Sequence, residues 1–147
     1  MRKTLTIAAI ALLAPAAASA ALAANWYRVA MGDTAAWYVD TNSIKANGPW
    51  TAAREYSVNF EVSARGVKTA SSDVEIDCKA RTMRYLHFSA YNAAGAETAS
   101  LDKPDQLEVH DIEASTVSAD IADFICNVDR GKAVRVADPK TDNPPRS

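Results

Sequence analysis

Strict alternation of hydrophobic and polar side chains is the clearest pattern in the chain, and it occurs in residues 55–62 and 73–78. In residues 55–62 every even position is apolar and every odd position, Glu55 included, is polar. This period of two predicts half-buried β-strands with the apolar positions on the inner face. By the same rule Val74, Ile76 and Cys78 face inward, and the intervening Asp73, Glu75 and Asp77 face outward.

Further strands are predicted on both sides of this pair. Residues 25–31 and 36–40 are short aromatic and β-branched runs around Gly32-Asp33, which predicts a hairpin, and residues 42–49 are rich in turn formers. The alternation slips at residues 79–82, as at a tight turn. It resumes with Leu86, Phe88 and Ala90 inside and Tyr85, His87 and Ser89 outside. Residues 103–105 are predicted as a loop and residues 106–112 as a candidate last strand, for a total of about five to six strands.

One helix is predicted, over residues 115–127. Ser115 or Thr116 provides the N-cap, and Asp120 lies in the first turns, where the helix dipole favours a carboxylate. The apolar stripe at helical spacing consists of Val117, Ile121, Phe124, Ile125 and Val128. Cys126 lies nearly opposite Val117 at about 100° per residue. Either the helix ends just before Cys126, or more than one of its sides is covered.

The first twenty residues have the three parts of a secretory signal. A basic start precedes an apolar run over residues 5–14, which is too short to span a membrane, and Ala18 and Ala20 supply the small residues that a signal peptidase recognises. We expect cleavage after Ala20, with Ala23 or Ala24 as alternatives. No cysteine lies near this boundary to take a lipid, and no later apolar run is long enough for an anchor. The mature protein is therefore expected to be periplasmic or secreted.

Cys78 and Cys126 are the only cysteines of the chain. In an exported protein their default state is a disulfide with each other, which would close a loop of about fifty residues and stabilise the fold by about 4 kcal/mol. A redox or metal-binding pair is the alternative, but it lacks CxxC spacing and neighbouring histidines. Strands followed by one late helix predict an α+β domain over residues 25–130, with the helix packed on one sheet face and tied by the disulfide. The polar residues 131–147 are predicted to be a flexible tail.

Charge argues against nucleic acid as a partner. The formal net charge is −2, and removal of Arg2 and Lys3 with the signal brings it to about −4. Lysines and arginines are scattered among acidic residues and form no basic stripe.

Candidate chemistry is sparse. His87 and His110 are the only histidines; His87 alternates on the outer strand face and His110 lies among acidic residues, so both are interpreted as surface side chains. Asp73, Glu75 and Asp77 lack the glycine-turned loop of a calcium site and are interpreted as a solvated face. None of the common catalytic or cofactor motifs occurs. We therefore assign no catalytic residue, metal or cofactor, and interpret the aromatic residues Trp26, Tyr27, Trp37, Tyr38 and Trp50 as core and rim.

Several short segments, taken in order, resemble the bacterial surface-adhesin protein E family. They are Trp26 with Val29, Tyr38-Val39-Asp40 followed by Ser43-Ile44, Trp50, residues 75–78, residues 84–91 with Gly95, and the late helix with Cys126. The resemblance implies a bent antiparallel sheet, a C-terminal helix held to its concave side by the disulfide, and a non-enzymatic role in binding host polypeptides. The namesake adhesin looks like a lipid-anchored surface protein, whereas this chain has no cysteine at its cleavage site.

These observations favour an exported, non-enzymatic binding module with a protein or peptide partner, and they do not identify which surface binds. A periplasmic inhibitor or envelope-accessory factor is the alternative. A hydrolase with an unrecognised site ranks below both.

Overall fold

One antiparallel sheet of eight strands carries most of the chain described by the computed structural model, which covers residues 23–102 and 107–145. In chain order the elements are β1 (Trp26–Met31), β2 (Ala35–Asn47), β3 (Trp50–Asn59), β4 (Thr69–Asp77), β5 (Thr82–Tyr91), β6 (Glu97–Asp102), β7 (His110–Asp111), α1 (Val117–Ile125) and β8 (Val134–Arg135). The strand order is β6-β5-β4-β3-β2-β1-β8, and β7 also pairs with β5.

The prediction of five to six strands was too low. Strands β7 and β8 have two residues each, too few to show alternation. All six residues of β6 are exposed, so this strand has no apolar face to give it a pattern. The predicted signal at residues 1–20, with Ala18 and Ala20, and the predicted loop at residues 103–105 lie outside the described residues.

The hairpin around Gly32-Asp33 is confirmed by the pairing of β1 with β2. The turn predicted at residues 42–49 is much shorter, because β2 continues to Asn47 with irregular pairing to β3 between Asp40 and Lys45. In this irregular stretch the Ser43 hydroxyl donates to the Asp40 carbonyl and accepts the Arg54 N–H, at 2.6 and 2.7 Å. The Ser43 side chain thus provides hydrogen-bond partners for backbone groups where the ladder between β2 and β3 is interrupted.

A β-bulge in β5 reverses part of the predicted facing. Val74 pairs with Tyr85 and Asp73 with His87, so Leu86 is the extra residue. Because directly paired residues share a sheet face, Tyr85 lies on the side of Val74 while Leu86 does not. The prediction that Leu86 is inside and Tyr85 outside was therefore wrong, whereas Phe88, paired with Ser72, faces the helix side.

Helix α1 covers part of one sheet face, packing mainly against β1 and β2. Its N-cap is Thr116, whose side chain accepts the Ala119 N–H at 3.2 Å. The helix ends at Ile125, just before Cys126, which decides between the two alternatives for that cysteine. Cys126 forms a disulfide with Cys78 at the end of β4, as predicted, with a Cα–Cα distance of 5.7 Å.

The core under the helix combines apolar residues from the sheet and the helix. It includes Val39, Val74, Ile76, Met83, Ala119, Ile121, Ala122, Phe124 and Ile125. Val128 does not belong to it and is 71% exposed, because the helix ends before this residue and Asn127, with φ of 59°, turns the chain away. The α+β arrangement with a disulfide-tied helix on one sheet face is confirmed.

Part of the opposite sheet face is contacted by residues that were predicted to be a flexible tail, and Val136 packs against the apolar cluster there. Strand β8 pairs with β1, and Pro139 and Pro144 are buried. Asp142 accepts hydrogen bonds from the Arg28 guanidinium at 2.6 Å and from the Tyr38 hydroxyl at 3.0 Å. Burial, together with this bond to Asp142, raises the pKa of Tyr38. The described part of the segment, up to residue 145, is thus attached to the sheet by contacts that its polar composition does not reveal.

Within residues 23–102 and 107–145, no helix is long and apolar enough to cross a membrane.

Candidate functional site

A pocket of about 300 Å³ lies on the helix side of the sheet. We call it the Glu55 pocket. Its lining comes from strands β2 to β6 and comprises Trp37, Glu55, Ser57, Ser72, Tyr85, Phe88 and Leu101.

Glu55 is the acidic group of this pocket, contrary to the prediction that it faces solvent. On β3 it pairs directly with Val39 of β2 and Ser72 of β4, which places it on the helix side, and it is only 6% exposed. The alternation rule assigned it outward because Tyr56 and Val58 are apolar. Those residues do face an interior, but it is the second cluster on the opposite side of the sheet. Both faces of β3 are therefore covered at Glu55 and Tyr56, whereas Arg54 is exposed.

The Glu55 carboxyl group lacks compensation for its burial. Its Oε2 atom is inaccessible to solvent and has no hydrogen-bond partner among the described residues. Burial raises the pKa of Glu55 to about 7, because the charged form loses hydration and gains nothing in return. Burial, and then the charge of Glu55, raise the pKa of Tyr85 to about 12. At neutral pH the pocket thus holds a carboxyl group close to its midpoint beside a neutral phenol.

The chemistry of this arrangement favours a ligand with a polar end and an apolar stem. Ser57, Ser72 and Tyr85, each of which carries a hydroxyl group, line the pocket together with Glu55. The remaining wall is formed by side chains of Trp37, Phe88 and Leu101. Pockets of this kind, apolar with a few polar groups that converge, are typical binding sites.

The acidic row predicted on β4 is engaged in protein contacts. Asp73 accepts from Arg54 at 3.0 Å, and Asp77 accepts backbone N–H groups of the following turn. Glu75 is on the outer face as predicted, but it is buried at 2% exposure and accepts two bonds from Arg84, at 2.8 and 2.6 Å. In the described part of the chain, no group of three ligating side chains is arranged to hold a metal.

The two histidines are separated in the structure. His110 on β7 is exposed, with its Nε2 atom 4.0 Å from a Glu108 carboxylate oxygen. The Nε2 atom of His87 is 3.1 Å from Ser89 Oγ, the spacing of a nucleophile and its base. Ser89 is only 2% exposed, however, and His87 has no hydrogen bond to a carboxylate among the described residues. This pair therefore lacks both substrate access and the third group that would orient the imidazole.

Most of the aromatic residues predicted as core and rim have structural contacts. The Trp26 and Tyr56 rings are 6.0 Å apart, those of Tyr27 and Phe124 are 5.7 Å apart, the Arg84 guanidinium lies 4.2 Å from the Trp50 ring centroid, and Tyr38 is 1% exposed. Trp37 differs from the others: it packs against the core and also lines the Glu55 pocket.

Comparison with known proteins gives one family and two similar structures. The family model described as surface-adhesin protein E matches residues 26–127, which include β1 to β7, α1 and both cysteines. Protein E of Haemophilus influenzae in crystal form II has 15% identity and a TM-score of 0.46, with 63% of this chain and 80% of that chain covered. Protein E from non-typeable Haemophilus influenzae has 15% identity and a TM-score of 0.48, with coverages of 78% and 82%. A search of curated protein sequences found no match.

Proposed function

Because the chain belongs to the surface-adhesin protein E family, we propose that it is an exported, non-enzymatic binding module whose partner is a protein or a peptide. The observation that carries this proposal is the family match over residues 26–127, which spans nearly the whole folded sheet and its helix. The signal predicted at residues 1–20 supports export to the periplasm, the cell surface or the medium.

Two structural features support a binding role. The helix side of the sheet has a pocket between β2 and β6, and its rim residue Leu101 is 41% exposed. The Cys78–Cys126 disulfide links the end of the helix covalently to the end of β4, which limits how far the helix can separate from the sheet. A surface that is ordered before binding loses less conformational entropy on association.

The proposal is tested with the mature protein expected from cleavage after Ala20, immobilised and exposed to envelope extracts and to solubilised host-cell surface proteins. A polypeptide that is retained and identified is then purified and titrated against the protein in solution. We expect saturable binding that weakens when Cys78→Ala and Cys126→Ala are combined. Absence of any saturable polypeptide, together with ester hydrolysis that Ser89→Ala abolishes, would replace the binding module with a hydrolase.

A periplasmic inhibitor or envelope-accessory factor uses the same fold on a different partner. Location separates the two roles, because an adhesin must be reachable from outside. Digestion of intact cells with a protease, followed by detection of the chain, distinguishes surface protein from periplasmic protein. Retention of a periplasmic enzyme in the capture experiment, with loss of that enzyme's activity, would favour the inhibitor.

A further inference from the structure

We propose that the Glu55 pocket binds the ammonium group and aliphatic stem of a lysine side chain presented by the protein or peptide partner. The existence of that partner rests on the proposed function, whereas the recognition chemistry rests on the pocket itself.

The buried carboxyl group is the first reason. A carboxylate without a partner destabilises a protein interior, and an apolar residue of similar size would pack there without that penalty. Glu55 lines the pocket, its Oε2 atom has no partner among the described residues, and the described lining of the pocket contains no lysine or arginine. A cation supplied from outside would provide the missing interaction.

The geometry of the polar groups distinguishes between cations. An ammonium group carries three N–H donors around one nitrogen, whereas a guanidinium presents a planar fork suited to both oxygens of a carboxylate. Here the acceptors are the Glu55 carboxylate and hydroxyl oxygens of Ser57 and Ser72, which come from separate positions on β3 and β4. Acceptors carried by three separate residues suit the three N–H donors of an ammonium group, whereas the planar fork is suited to one carboxylate.

The apolar wall matches the stem of the same side chain. Trp37, Phe88 and Leu101 line the pocket, and a lysine buries its methylene groups along such surfaces. Aromatic rings also attract a nearby cation through their electron-rich faces. The volume, about 300 Å³, is at the lower limit for a small-molecule site and suits one side chain.

Binding of the ammonium group should depend on pH through the ionisation of Glu55. Glu55 is surrounded by Val39 and Trp37 of β2, Ser72 of β4, Tyr85 of β5 and Leu101 of β6, and of these only Tyr85 titrates. Tyr85 stays neutral, since its pKa is about 12. Near neutral pH, the arrival of an ammonium group should therefore release a proton from Glu55.

The test uses Nα-acetyl-lysine N-methylamide as the probe and its Nε-acetylated form as the uncharged comparison. Isothermal titration in two buffers of different ionisation enthalpy measures the proton released, and the Trp37 indole resonance reports occupancy. We expect the charged probe to bind about tenfold more tightly at pH 8 than at pH 6, because the ionised fraction of Glu55 rises from about a tenth to about nine-tenths. The acetylated probe should not bind.

Glu55→Gln should weaken probe binding at least about tenfold and abolish proton release. Glu97→Gln is the matched control, since it makes the same change at an exposed position of β6 and should leave binding unchanged. Equal binding by wild type and Glu55→Gln, or equal binding of both probes, would overturn the inference. Measurement of proton release on the wild type alone keeps the test valid if a variant folds poorly.

Two further comparisons complete the test. One distinguishes a lysine side chain from a small free amine as the source of the ammonium group. The other distinguishes failure of the lysine assignment from failure of the proposed function. Binding of n-butylamine without binding of the lysine probe would overturn the assignment to a lysine side chain in favour of a small free amine. If the identified partner binds wild type and Glu55→Gln equally, the lysine assignment fails while the binding module stands. If the lysine probe binds but no polypeptide partner is found, the pocket chemistry stands and the proposed function fails.

Discussion

Replacement of Glu55 by glutamine should stabilise the protein above neutral pH. Glutamine has nearly the same shape and cannot ionise, so the change removes the buried charge without altering the packing. In the unfolded chain the carboxyl group ionises near its ordinary pKa of 4.5, whereas in the folded protein it keeps its proton until about 7. Between these values the folded state binds more protons, so the wild type loses stability as pH rises.

The difference between the two pKa values sets the magnitude. A separation of about 2.5 units, at 1.36 kcal/mol per unit, corresponds to about 3 kcal/mol. This stabilisation is fully present below the pKa of Glu55 in the unfolded chain, and it is lost once the pH exceeds the pKa of Glu55 in the folded protein. It is a large fraction of the total free energy of unfolding of a small domain.

The assay is urea unfolding followed by tryptophan fluorescence at several pH values from about 4.5 to about 8. We expect wild type to become less stable relative to Glu55→Gln by about 3 kcal/mol across this range. Glu97→Gln, at an exposed position on β6, should follow the wild-type curve. If the difference between wild type and Glu55→Gln is the same at every pH, the Glu55 carboxyl group does not have a raised pKa in the folded protein.

Four further changes test the remaining contacts. Removal of the disulfide by replacing Cys78 and Cys126 with alanine should cost about 2 to 5 kcal/mol in urea unfolding and accelerate amide exchange in α1; unchanged exchange would show that the helix docks without it. Phe124→Ala removes a side chain that is 2% exposed and should cost about 3 to 5 kcal/mol in the same assay. Asp142→Asn should cost about 1 to 3 kcal/mol and make the C-terminal segment sensitive to proteolysis, and resistance equal to wild type would refute this anchoring role. Glu75→Gln leaves an arginine without its carboxylate partner and should destabilise by about 1 to 3 kcal/mol at pH 7, the opposite sign to Glu55→Gln.

The order of apolar, polar and turn-forming residues along the chain predicted the elements whose formation depends on neighbouring residues. Alternation located β3, β4 and β5, turn residues located the first hairpin, and helical spacing with a capping threonine located α1. The disulfide followed from there being two cysteines in a chain with a predicted export signal. The strands, the hairpin and the helix follow from residues that are neighbours in the sequence. The disulfide follows because each cysteine has only the other to pair with. Neither inference needs knowledge of tertiary contacts.

The errors arose where a tertiary contact decides the outcome. The bulge opposite Asp73 and Val74 shifts β5 by one residue, and a period of two then assigns Leu86 and Tyr85 to the wrong faces. The C-terminal segment is held by Asp142, whose partner Arg28 is 114 residues away. No window of sequence contains both residues. The polar character that predicted a flexible tail is the same character that forms the ion pair.

Glu55 was missed because alternation assumes that a strand has only one buried face. Once both faces are covered, the polar positions of β3 are also interior, and a charged residue there requires an explanation that the pattern does not supply. A weak signal was present: Ser57 and Ser72, which flank Glu55 on the same face, are small and polar where a packed core would have aliphatic residues. A cluster of small hydroxyl side chains around one carboxyl group is more typical of a binding pocket than of a core.

Comparison of the two buried glutamates supports a functional interpretation for one of them. Glu75 and Glu55 are 2% and 6% exposed, on opposite faces of the sheet. Glu75 is compensated within the chain by two hydrogen bonds from Arg84, so its burial is explained by the fold. Glu55 has an oxygen with no partner among the described residues, and its side chain lines a pocket. Because folding alone would be better served by an uncharged residue at that position, the carboxyl group is best explained by what it binds.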